Sequence, residues 1–240
     1  MIKKLLVISV IFLGLLVIGL VASFAWINQS ARDNQVKIAS PVNLENFDRL
    51  DQAVWSITDK SLGRTWLNPA NIEVNNGFLK IRMPANRLEG GEIVNRGAVS
   101  YGRYESRMKL PSVPSSITGF FLYAPPDYFY EIDIEIHNTT EGKLLLTTYA
   151  DGEVQNEYEG VLGFDPTADF HNYRFDYTAD QVAFYVDDQF ITAWQDGFPK
   201  GEPMQLMVNS WYPNWLAGTP TPTDQVLLVD WIRYLSLIHI

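Results

Sequence analysis

From residue 46 onward the apolar and polar positions alternate with a period near two, not 3.6, the mark of strands with one face buried. Phe78-Leu79-Lys80-Ile81-Arg82-Met83 alternates behind the turn signal Asn75-Asn76-Gly77. Similar runs cover residues 104–110, 120–123, 144–150, 173–177, 182–186, 190–194, 204–210 and 226–234. Asp187-Asp188 separates two of them as a hairpin turn would. Many short strands at fairly regular spacing predict an all-β fold: two antiparallel sheets packed as a jelly roll, with a concave face.

The N-terminus follows a different pattern. Lys3 and Lys4 precede an uncharged apolar stretch over residues 5–22, and the next charge is Arg32. Positive residues ahead of such a run place the N-terminus in the cytoplasm and the remainder outside. The run is long enough to span a bilayer as a hydrophobic helix, and Ser23-Phe24-Ala25 offers a small-x-small cleavage site. The expectation is an exported protein, extracellular or membrane-anchored. Residues 1–27 are then a signal peptide or transmembrane anchor, 28–45 a linker and 46–234 one catalytic-sized domain. The tail 235–240, Leu-Ser-Leu-Ile-His-Ile, looks foreign to it.

One strand stands apart. Glu131-Ile132-Asp133-Ile134-Glu135 alternates strictly, so the three acids share one face and the isoleucines point into a core. Three aligned carboxylates repel one another and raise one another's pKa values. A solvated acidic strand face is the plain reading. Glycosidic-bond cleavage is the chemical one, since it needs one carboxyl ionised and another protonated at the same pH. Continuing the alternation puts Phe129 and His137 on the acidic face, and aromatic rings beside acids suit a sugar groove.

Composition narrows the choice. The chain has 240 residues, 28 acids against 18 basic residues and a formal charge of −10, with no basic stripe to hold nucleic acid. With no cysteine, disulfides, thiolate metal sites and cysteine nucleophiles are excluded.

Several stretches, taken in order, resemble the family 16 glycoside hydrolases. The centre is Glu131-Ile-Asp-Ile-Glu135. Around it stand Tyr101-Gly-Arg-Tyr-Glu-Ser-Arg-Met-Lys109, Gly119-Phe-Phe-Leu-Tyr123, Phe170-His-Asn-Tyr-Arg-Phe175, Phe184-Tyr-Val-Asp187, Asn209-Ser-Trp211 and Val229-Asp-Trp-Ile-Arg-Tyr234. The single residue between Asp133 and Glu135 is the lichenase pattern, whereas laminarinases usually carry one more. The resemblance implies a concanavalin A-like jelly roll and an endo-acting retaining β-glucan hydrolase, closest to bacterial endo-β-1,3-1,4-glucanases. It makes Glu131 the nucleophile, Glu135 the acid and then base, and Asp133 the residue that holds and tunes the nucleophile. Spacing alone does not give that stereochemistry. Residues four apart on an ideal strand are about 13 Å apart, and a retaining pair needs carboxyls about 5–5.5 Å apart.

The same resemblance assigns Glu105 and Arg107 to the cleft, with a surface ion pair as the plainer reading of these two. It makes Tyr123, Phe129, Trp211 and Trp215 sugar platforms and places Asn209 on the cleft strand. Trp55, Trp66 and Trp231 are expected inside the core, and His171 is expected to be structural. No cofactor is implied for catalysis. A structural calcium is implied at Gly77 and Asp230, which match a family site made from an early turn and the last strand. The expected partner is β-glucan, with the membrane added if the N-terminal segment stays, and the expected state is a monomer. Two departures fall near the substrate: His137-Asn138 where lichenases place a glycine, and Gly63 where they carry an asparagine. A transglycosylase of the same family and a non-catalytic carbohydrate-binding jelly roll are the alternatives.

Overall fold

The period-two pattern folds as strands throughout the computed structural model, which describes residues 42–236. The expected N-terminal helix and the end of the expected foreign tail lie outside the described residues. In chain order the strands are β1 (Val42–Glu45), β2 (Trp55–Ile57), β3 (Lys60–Leu62), β4 (Thr65–Leu67), β5 (Ile72–Asn75) and β6 (Phe78–Met83). Next come β7 (Glu89–Val99), β8 (Gly102–Lys109), β9 (Ile117–Ala124), β10 (Tyr130–His137), β11 (Lys143–Ala150) and β12 (Glu153–Val161). The last are β13 (His171–Tyr177), β14 (Val182–Val186), β15 (Gln189–Trp194), β16 (Met204–Trp211) and β17 (Gln225–Ser236).

They form two sheets. One runs β15-β14-β13-β8-β17-β6-β5, with β1 also on β17. The other runs β12-β11-β10-β9-β16-β7-β4-β3, with β2 also on β7. Pairing is antiparallel except between β4 and β7. Residues 42–45, expected in the linker, join the first sheet through β1, where Val42 pairs with Leu235 and Glu45 with Ile232. Leu235 and Ser236, expected in the tail, pair with Arg103 and Gly102.

The core lies between the inner faces of the sheets. Ile132, Ile134 and Ile136 are fully buried, as their alternation with the acids requires, beside Phe120, Leu122, Leu144, Leu146 and Val208. From the other sheet come Tyr104, Met108, Phe175, Phe184 and Val229. Tyr104 stacks between Phe175 and Tyr234, each ring 4.9 Å away. Each such side chain contributes about 1.5–3 kcal/mol when fully buried, and no disulfide supplements them. Because the isoleucines face inward, the acids of β10 emerge on the outer face of the second sheet.

Trp55 joins the core, with Nε1 donating to Glu45 at 3.1 Å. Trp66 and Trp231 depart from expectation. Trp66 is 47% exposed, because its neighbours Thr65 and Leu67 take the inward positions of β4. Trp231 sits past a register shift in β17, half-buried, with Arg233 4.7 Å over its ring. His171 is structural as expected. Its Nδ1 meets Asp187 at 2.6 Å and its ring stacks on Phe164 at 3.7 Å.

Candidate active site

Strand β10 fixes the acids by register. Glu131 lies between Tyr123 and Tyr149, Asp133 between Phe121 and Thr147, and Glu135 between Gly119 and Leu145. All three acids line one cleft of about 240 Å³, together with Tyr123, Asn209, Trp211 and Trp215. Seven residues singled out in the sequence thus meet at one place.

The row through Glu135 continues across the sheet as Gly119, Asn209 and Glu92. Gly119 is the opening in that row. A Cβ there would sit 2.7 Å from Asn209 Oδ1 and 3.2 Å from the Phe121 ring, so a larger residue would collide with Asn209. Glu92 is 1% exposed and accepts from Asn209 Nδ2 at 3.0 Å and Thr58 Oγ1 at 2.7 Å. Asn209 is therefore held by one end, while its Oδ1 stays buried without a partner. Gly63, with φ +57°, lies against Trp211: a Cβ would be 2.7 Å from that ring and 2.9 Å from the Tyr212 carbonyl. A larger side chain there would have to displace the ring or the carbonyl, at a φ that favours glycine.

The electrostatics are lopsided. The cleft lining holds five carboxylates, Glu92, Asp127, Glu131, Asp133 and Glu135, and one cation, Lys60. Burial and then the charge of Glu135 push Glu131 up to about 8. Burial pushes Glu135 up to about 7. Burial and the neighbouring glutamates hold Asp133 well above the usual carboxylate range. The Asp133–Glu131 hydrogen bond acts in opposite senses, lowering Glu131 and raising Asp133. Within that pair the hydrogen bond favours the proton on Asp133 and the charge on Glu131. The three groups titrate as one cluster that keeps protons near neutrality.

Three expected site residues lie elsewhere. Glu105 and Arg107 are on β8, in the sheet opposite the cleft. Tyr104 and Met108 of that strand fill the core, so Glu105 and Arg107 face outward on the far side of the sandwich. Glu105 lies 3.7 Å from Arg233. Arg107 binds Asp230 at 2.5 Å and covers the Phe170 ring at 4.7 Å. Phe129 misses the cleft because β10 begins at Tyr130. A turn with Tyr128 at φ +70° precedes it, and Phe129 N–H donates to the Pro126 carbonyl at 3.1 Å. Phe129 packs on the Gly152 turn instead, and Tyr128 lines the cleft, its ring 5.3 Å from Tyr149. His137 is half-buried, its ring 5.7 Å from Trp215. Of the residues missed in the sequence, Glu92 is the most consequential. Its only signal was a lone acid in Gly90-Gly91-Glu92-Ile93-Val94.

The profile of glycosyl hydrolases family 16 matches residues 60–233. The chain belongs to that family. It is a glycoside hydrolase, and the family's chemistry requires no cofactor. A beta-glucanase of Paenibacillus polymyxa is 30% identical over 183 residues, which cover 72% of this chain and 76% of the relative. A beta-glucanase of Acetivibrio thermocellus is 29% identical over 203 residues, 78% of this chain. The chain spans 60% of that relative's length. A prokaryotic beta-1,3-1,4-glucanase (lichenase) from a mouse hindgut metagenome superposes with a TM-score of 0.72 at 27% identity, covering 83% of this chain and all of that one.

Proposed function

We propose that the protein is an endo-acting, retaining β-glucan hydrolase whose substrate is mixed-linkage β-1,3-1,4-glucan. The observation that carries this reading is the acid trio, Glu131, Asp133 and Glu135, in one aromatic-lined cleft. The family and the names of the relatives above supply the substrate class.

Glu131 attacks the anomeric carbon while Glu135 gives its proton to the departing glycosidic oxygen. This breaks the glycosidic bond and leaves a glycosyl ester on Glu131. Glu135, now ionised, takes a proton from water. The resulting hydroxide equivalent displaces Glu131 from the sugar, and both acids return to their starting states. Burial holds both glutamates near neutrality, Glu135 at about 7 and Glu131 at about 8, so the reaction runs through the form of the shared-proton cluster in which Glu135 carries the proton and Glu131 the charge. Asp133 steadies Glu131 through its hydrogen bond. Tyr123, Trp211 and Trp215 offer ring faces to the sugars, and Asn209, braced by Glu92, offers an amide.

A reducing-sugar assay over barley glucan, lichenan, laminarin, xyloglucan, agarose and carrageenan tests the substrate. Release from barley glucan and lichenan is expected. Release only from a galactan would overturn the glucan assignment.

The structural calcium implied by the resemblance does not suit these residues. Asp230 already carries the Arg107 guanidinium at 2.5 Å, so its charge is neutralised from within the chain. Calcium takes six to eight oxygens, and one Gly77 carbonyl with the Asp230 carboxylate supplies only a minority of them. Among the described residues no cluster of three acids or histidines stands nearby to complete a shell. A chelator should therefore leave the melting temperature unchanged. A fall on chelation that calcium restores would contradict this.

A further inference from the structure

Arg64 makes more hydrogen bonds than any catalytic residue, and none of them is to a side chain. It follows Gly63 in the turn between β3 and β4. Its Nε donates to the Pro213 carbonyl at 3.1 Å and its Nη1 to Gly218 at 2.8 Å. Its Nη2 donates to Ser115 at 3.2 Å and to Leu216 at 2.5 Å. Its own N–H meets the Tyr212 carbonyl at 2.9 Å. The acceptors Pro213, Leu216 and Gly218 belong to the segment that leaves β16, which has no strand partner to order it. Trp215 sits between them, 56% exposed, lining the cleft, with His137 beside its ring.

An exposed ring on an irregular segment has many places to be. A sugar platform has to be in one of them beforehand, because ordering it on binding costs affinity. A planar fork with five donors is suited to gathering several carbonyls at once. A lysine, with three donors at a single point, is not.

We infer that Arg64 is a positioning residue for substrate: it fixes residues 212–218 so that Trp215 stands ready as a sugar platform at its end of the cleft. The inference rests on the β-glucanase reading and adds a residue outside the cleft to its specificity machinery. Arg64 acts only through Trp215, so its effect belongs in KM and vanishes where that ring is gone.

The test is a double-mutant cycle on barley glucan, with Arg64→Lys and Arg64→Gln made in the wild type and in Trp215→Ala. KM, kcat and melting temperature are measured for each. Trp215→Ala should raise KM roughly tenfold. Each Arg64 variant should raise KM several-fold with kcat changed less than about twofold, and should leave KM unaltered in the Trp215→Ala background. Equal KM effects in both backgrounds would overturn the positioning role, as would kcat and KM moving together. If neither variant is folded at the assay temperature, Arg64 holds the fold and not the platform, and the inference also fails. An unchanged KM in Trp215→Ala alone would remove the platform itself. A wild-type protein inactive on every glucan would remove the parent reading instead.

Discussion

Glu131→Gln will abolish turnover of mixed-linkage glucan, with a fall in kcat on the order of 10⁴–10⁶-fold, and will leave glucan binding intact. The amide keeps the shape of the side chain and an oxygen to accept from Asp133, but it cannot form the glycosyl ester. The same variant should be more stable than the wild type. In the folded protein Glu131 is held up at about 8 against an ordinary value of 4.5, chiefly by burial. A carboxyl raised on folding costs stability once pH exceeds its unfolded value, and the cost grows until pH passes the folded value. Removing the charge should therefore give no gain below about pH 4.5 and a growing gain up to about pH 8, on the order of a few kcal/mol. Thermal unfolding of both proteins across that range reads it directly. A melting temperature that drops equally at all pH values would mean Glu131 is a structural residue.

Glu135→Gln should separate substrates by their leaving groups. On glucan the departing sugar alkoxide needs a proton, and the variant should lose on the order of 10²–10⁴-fold in rate. On an activated aryl β-glucoside the phenolate leaves unaided, so formation of the glycosyl ester should be largely spared. The pH profile carries a second signature. Productive enzyme has lost one proton from the cluster and kept another. The kcat/KM curve of the wild type should thus be bell-shaped around neutrality, with both limbs displaced from ordinary carboxylate values towards about 7 and about 8. The alkaline limb should disappear in Glu135→Gln. If glucan and aryl glucoside fall equally, Glu135 is not the acid.

The acid strand was legible because its information is local. Period-two alternation places Glu131, Asp133 and Glu135 on one face, whatever surrounds the strand. The same rule put Glu105 and Arg107 on one face of β8, correctly, but cannot say which sheet a strand enters. The chain crosses to the opposite sheet between β7 and β8, and that carries both residues away from the cleft. Phe129 was lost to the turn ahead of β10, where Tyr128 takes a left-handed conformation and ends the alternation. Glu92 was silent because its meaning is non-local. It matters through Asn209, a partner 117 positions away that only the β7–β16 register brings opposite. Arg64 was silent for a related reason: its partners are backbone carbonyls, which leave no trace in residue type.

The central claim is that Glu131 and Glu135 act in turn on one anomeric carbon. Proton NMR of the wild-type protein cleaving a short mixed-linkage oligosaccharide tests it most directly, read before mutarotation scrambles the new reducing end. Two displacements leave the first-formed sugar in the β configuration. A first-formed α anomer would mean that water attacked the substrate directly, and that no glycosyl ester forms on Glu131.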